Sequence, residues 1–141
     1  MLFRKSVLIC CIALGVSSLS SYALAQDLFT TNNTKFDSTC RTNDFMCSTD
    51  ILGKDGVTKA GEQRKKTTGT QLKLACIKNL RDCKADIHME DKCGGDKIAT
   101  IHFDTMGDGV KSIEIINKSY SITGSGFEIT ISGGPTVTAG K

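Results

Sequence analysis

The sequence has no tryptophan, a single proline and only 6% aromatic residues. A chain so poor in rings must build its core mainly from Ile, Leu and Val. A basic excess is also missing: 18 Lys and Arg face 15 Asp and Glu, a net charge of +3. That balance excludes a dedicated nucleic-acid binder. With 39% hydrophobic and 23% charged residues, the chain is neither a disordered tail nor a membrane bundle. G-x-S-x-G, H-E-x-x-H, phosphate-loop and dinucleotide patterns are all absent, so the common hydrolase, zinc-protease and nucleotide-binding signatures are excluded. At 141 residues, one domain is expected.

The longest apolar run is N-terminal. Arg4-Lys5 precedes Ser6 to Val16, a serine-rich stretch follows, and Ala23-Leu24-Ala25 ends the segment. A charged start, a short apolar centre and an A-x-A site in that order describe a cleaved export signal. The apolar centre is well short of the roughly 20 residues needed to span a bilayer. Residues 1–25 are therefore assigned as a signal peptide, and a periplasmic or extracellular location is expected. Removing them takes away Cys10, Cys11, Arg4 and Lys5. The 116 residues that remain carry 16 basic and 15 acidic side chains, so the mature protein is almost neutral.

Residues 26–70 read as a loop-rich segment. Apolar residues are few, Lys54-Asp55-Gly56-Val57 is a turn signal, and residues 61–69 resemble an exposed basic linker. Residues 71–141 read as an antiparallel β domain. Strands are expected at 98–103, 110–117, 119–123 and 127–132, the last two forming a hairpin with Ile122 opposite Phe127 and Tyr120 opposite Ile129. Residues 70–93 fit two patterns. Leu72, Cys76, Leu80, Cys83 and Ile87 have helical spacing, whereas Leu72, Leu74, Cys76 and then Cys83, Ala85, Ile87, Met89 alternate as two strands. The β-rich neighbourhood favours the hairpin. The expected fold is mainly β, or α+β if 70–93 is helical. It would be a single small domain with an antiparallel meander sheet or sandwich and a disulfide-stapled N-terminal part.

Cysteine carries the strongest chemical signal. Cys40, Cys47, Cys76, Cys83 and Cys93 follow the signal, and export makes disulfides the default. Cys40/Cys47 and Cys76/Cys83 share the spacing C-x6-C, each with Asn three residues after the first cysteine. Asn tolerates left-handed backbone, so a turn at Asn43 and at Asn79 would bring each pair together. Local pairing is favoured over bridges linking Cys40 or Cys47 to Cys76 or Cys83. An eight-residue loop closed in this way contributes roughly 2.5 kcal/mol. Cys93 is left as the free thiol, able to join two copies; Asp91 and Asp96 offset Lys92 and Lys97, so no activating field surrounds it.

One strand register would set His88 opposite His102 and Asp86 opposite Asp104, four ligands for zinc or copper. A two-residue slip separates them, and solvent-facing polar residues are the simpler expectation. Asp104 to Gly109 has the look of a calcium loop, but Met106 and Ile115 occupy ligand positions, leaving a turn. The expectation from sequence is an exported, cross-linked, non-enzymatic binding or inhibitory protein without a cofactor. Its partner would be a protein or glycan met along a sheet edge or loop face, with no nucleic acid and no stable membrane insertion. The alternatives are a secreted bacterial effector, or a small enzyme using Cys93 or a histidine-bound metal.

Overall fold

Strand alternation and turn chemistry decide most of the architecture. The structure is a computed structural model that describes residues 26–136, so the expected signal, with Cys10 and Cys11, lies outside the described residues. The strands are β1 (Leu28–Asn32), β2 (Thr39–Thr42), β3 (Met46–Cys47), β4 (Lys65–Thr67), β5 (Cys83–His88), β6 (Lys97–Asp104), β7 (Gly109–Ile115), β8 (Tyr120–Ser125) and β9 (Glu128–Gly133). Two short helices, α1 (Ser48–Leu52) and α2 (Gly69–Ala75), interrupt them. One sheet has the order β4-β1-β9-β8 and the other β3-β2-β5-β6-β7.

The apolar faces of the two sheets meet. Ile87, Ala99 and Ile101 from one pack with Tyr120, Ile122, Ile129 and Ile131 from the other, a mostly aliphatic core as the scarcity of rings requires. A smaller cluster of Leu72, Cys76, Cys83 and Phe103 extends the core beneath α2, where Phe127 meets Phe103 edge-on at 5.1 Å between ring centroids. Burying such side chains stabilises the fold by about 1.5–3 kcal/mol each. The mainly β, single-domain fold expected from the sequence is found.

Three local readings change. First, residues 26–70 are not a loop-rich appendage. They supply β1 to β4 and α1, and β1 runs parallel to β9, with Phe29 beside Glu128 and Asn32 beside Ile131. The sheet is thus not a pure antiparallel meander. Lys65 and Lys66 belong to β4, paired with β1, rather than to a linker. Second, the favoured hairpin at 70–93 is half helix. Thr68 caps α2: its hydroxyl accepts from Gln71 N at 3.2 Å while Gln71 Oε1 accepts from Thr68 N at 3.0 Å. This reciprocal capping box satisfies two otherwise orphaned donors, and helix formers follow it. Third, the β8–β9 register is shifted, with Ile122 opposite Ile131 and Tyr120 opposite Gly133. A two-residue turn at Gly126-Phe127, with Gly126 at φ +60°, closes this hairpin two residues later than expected. Glycine is the residue that such a turn needs at its first central position.

The parallel β1–β9 pair is anchored by Asn32, which is fully buried. Its amide donates to the carbonyls of Phe36 (2.8 Å) and Thr58 (3.1 Å), while its Oδ1 accepts from Thr34 N (3.0 Å) and Thr34 Oγ1 (2.7 Å). One side chain thereby organises the loop that leads into β2.

Candidate functional site

One of the two expected local pairs forms and the other does not. Cys76, at the end of α2, is bridged to Cys83 at the start of β5, with Cα atoms 5.5 Å apart. Asn79 shapes the turn between them: its N–H donates to Cys76 O and its Oδ1 accepts from Asp82 N. Cys47, however, is bridged to Cys93, and Cys40 is the unbridged cysteine among the described residues. Asn43 does adopt the left-handed turn anticipated for it (φ +52°), but the turn sets Arg41, not Cys40, opposite Cys47. Neighbouring residues on a strand point to opposite faces, so Cys40 and Cys47 cannot bridge. Cys93 is consequently not a free thiol and cannot join two copies while bridged. Cys40 faces a cavity of about 110 Å³ between the sheets. Burial pushes its thiol up, only partly offset by Ser48, so it is not an activated nucleophile.

The four candidate metal ligands, His88, His102, Asp86 and Asp104, do not converge. Strand β5 pairs with β6 so that Lys84 lies opposite His102, Asp86 opposite Thr100 and His88 opposite Lys97. This register keeps the apolar residues of both strands on one face but places the two histidines at different heights along the ladder. His102 Nδ1 contacts Asp82 Oδ1 at 2.9 Å, and His88 Nδ1 contacts Gly95 O at 3.2 Å. Asp86 is buried; its Oδ1 accepts from Thr100 Oγ1 at 2.7 Å and pairs with Lys97 Nζ at 3.4 Å. Asp104 turns onto its own loop, accepting from Met106 N at 2.9 Å. Among the described residues, no group of three or more His, Cys, Asp or Glu is arranged to hold a metal ion.

One end of the molecule exposes a group of apolar side chains. Phe45, from the β2–β3 turn, and Leu74 and Ile77, from the end of α2, are 50%, 50% and 63% exposed. With Met46 and Ile51 they border a shallow cleft of about 210 Å³. Lys78 Nζ stands 3.7 Å from the centroid of the Phe45 ring, a cation–π contact at the rim. The two halves are fixed to each other, because Thr42 Oγ1 donates to Ala75 O at 2.6 Å. Single exposed apolar residues need no explanation; here three of them lie around one cleft.

A family model described as the type II secretion system substrate NttC matches residues 3–140 of this chain. The chain belongs to the NttC family of type II secretion substrates. A protein of the NttC family is exported to the periplasm and then secreted from the cell, in agreement with the periplasmic or extracellular location expected from the sequence. The crystal structure of the Legionella pneumophila type II secretion system substrate NttC has a similar fold, with a TM-score of 0.56 at 17% identity. The likeness covers 77% of this chain and 97% of that one. No curated protein matches.

Sequence reasoning missed the apolar cluster in this NttC-family chain. Leu74 had been assigned to a buried strand face, and the helix turns it outward instead. The Thr68-x-x-Gln71 pattern was the signal that could have revealed the helix and so the exposure.

Proposed function

We propose that this protein acts after secretion as a non-catalytic binding protein, engaging a protein partner through the apolar end formed by Phe45, Leu74 and Ile77. The exposure of these three side chains around one cleft, on elements locked together by the Thr42–Ala75 bond, carries the reading. A pre-ordered apolar surface loses little conformational entropy on binding, and aromatic side chains such as Phe45 are enriched at interface cores. The chemistry around the polar groups supports the same view. The bridged cysteines cannot act as nucleophiles, and each histidine is engaged with a separate local partner.

The test is site-specific photo-crosslinking. A benzophenone side chain at position 77 should form one discrete adduct with a partner protein in extract of the cells that meet the secreted protein, and a benzophenone at Glu114, on β7, should not. Phe45→Ala in the position-77 protein should abolish the adduct while leaving the melting temperature within a degree or two. Equal crosslinking at both positions, or an adduct indifferent to Phe45→Ala, would refute the reading.

A further inference from the structure

The cavity beside Cys40 has a construction that the apolar end does not share. Its floor is core: Leu72, Ile87, Ile101, Phe103, Ile129 and Ile131 line it, all nearly fully buried. Its rim includes Leu52, Asp55 and Gly56, from the end of α1 and the following turn, together with Lys65 of β4. The space therefore runs from between the sheets toward the surface under the Gly53–Gly56 turn. A cavity of about 150 Å³ with aliphatic and aromatic walls stays dry and takes a benzene-sized guest. On that scale 110 Å³ takes an apolar group of about four to six carbons.

Lys65 gives the rim its charge. Its ammonium donates to the backbone carbonyls of Asp55 and Val57 and so bridges the rim. An ammonium has three donors, so one remains. The nearby acids are occupied elsewhere: Asp55 accepts from Gln71 Nε2 and Glu62 from Lys59 N. Neither forms an ion pair with Lys65 among the described residues. Burial pushes the Lys65 amine down, against the pull of Glu62 and Asp55.

We infer that this cavity binds a small amphipathic carboxylate, with its apolar body between the sheets and its head group on the free donor of Lys65. The walls select for an unbranched chain or a single ring, because a longer or branched body would have to displace core side chains from their packed positions. The carboxylate would accept a charge-assisted hydrogen bond from the remaining donor of the half-buried ammonium.

The test uses the oxidised, isotope-labelled protein and three probes: hexanoate, hexan-1-ol and hexylamine. Titration followed by amide chemical shifts should show saturable movement at Leu72, Ile87, Ile101 and Ile131 with hexanoate. Hexan-1-ol should bind at least ten-fold more weakly, and hexylamine not at all. Lys65→Met keeps the apolar stem, so that variant should retain hexan-1-ol binding and lose the preference for hexanoate. The same spectrum shows whether the variant is folded; if it is not, Lys65→Arg, which keeps the charge, should retain the preference. No saturable shift with hexanoate would overturn the inference. So would equal affinity for acid and alcohol, or shifts confined to Phe45, Leu74 and Ile77.

Discussion

Cys47 and Cys93 are separated by 46 positions in sequence, yet their Cα atoms lie 5.9 Å apart across a disulfide. Cys47 stands at the entry to α1, and Cys93 ends a tight turn after β5 in which Lys92 and Cys93 both have positive φ. Thr39 Oγ1 braces that turn, accepting from Cys93 N at 2.9 Å and donating to Glu90 O at 2.7 Å. Cross-linking restricts the unfolded chain more as the enclosed loop lengthens. On that account the Cys47–Cys93 bridge contributes about 4 kcal/mol and the Cys76–Cys83 bridge about 2.5 kcal/mol. The Cys47→Ala/Cys93→Ala double variant should therefore lose more stability in urea unfolding than Cys76→Ala/Cys83→Ala. Peptide mapping of the native protein should recover Cys47 linked to Cys93; a Cys40–Cys47 peptide would contradict the pairing.

Cys40 should behave as a protected thiol. Its environment is the cavity and the hydroxyl of Ser48, and burial disfavours the thiolate. Because only the thiolate attacks, iodoacetamide at pH 8 should modify Cys40 in the native protein far more slowly than in urea. Cys93 should not react in either state until a reductant is added. Native Cys40 alkylating at the rate of a free thiol would show that the site is open and solvated.

The difference between what could and could not be read from the sequence is a difference of range. The strand at 98–103, the turn at 104–109 and the bridge from Cys76 to Cys83 depend on neighbours within a few residues, and each was legible. The register of β5 on β6 was not, because sliding one strand by two residues preserves every apolar face. That freedom is what made the His88–His102 pairing imaginable. Cys47–Cys93 depends on the β2–β3 turn, the α1 entry and the turn at Asp91–Cys93 arriving together, which no local pattern records. The cluster of Phe45, Leu74 and Ile77 was hidden by a mistaken period: read as a strand, residues 72–76 bury Leu74, and read as a helix they expose it. The exported location was readable because the N-terminal pattern that pointed to it is local, and the family match agrees with it.

Asp82 and His102 predict a pH dependence. The Asp82 carboxyl is held below the usual aspartate range, first by the hydrogen bond from His102 and also by Lys111, 3.7 Å away. A carboxyl with a depressed folded pKa stabilises the fold above its unfolded pKa and loses that contribution as pH falls through the folded value. The melting temperature of Asp82→Asn should accordingly lie below that of the wild type at neutral pH. The gap should hold down to about pH 4 and close at lower pH. Because the pair is exposed to solvent, the gap should be small and should shrink in high salt. A gap that widens under acid would reverse the sign and refute the assignment.

Gly109 is where the two sheets are pinned edge to edge. It opens β7 at φ +82°, and a Cβ at this position would stand 1.9 Å from the carbonyl oxygen of Gly126 in the β8–β9 turn. The next residue makes the contact useful: Val110 N donates to Gly126 O at 2.9 Å. Gly109→Ala therefore acts twice, placing a side chain in a left-handed backbone and driving a methyl into another strand's turn. The first effect costs about 1–2 kcal/mol, and the overlap adds about 1–3 kcal/mol. Gly126 is the control. It has a similar positive φ (+60°) but nothing within 4 Å of its Cβ position, so Gly126→Ala should cost only the backbone share. Urea unfolding should place Gly109→Ala well below Gly126→Ala in stability. The amides of Val110 and Phe29, which donate to the carbonyls of Gly126 and Phe127, should also exchange faster in the Gly109 variant. Equal losses at the two glycines would mean that β7 can move away from the turn, and that the two sheets are not pinned here.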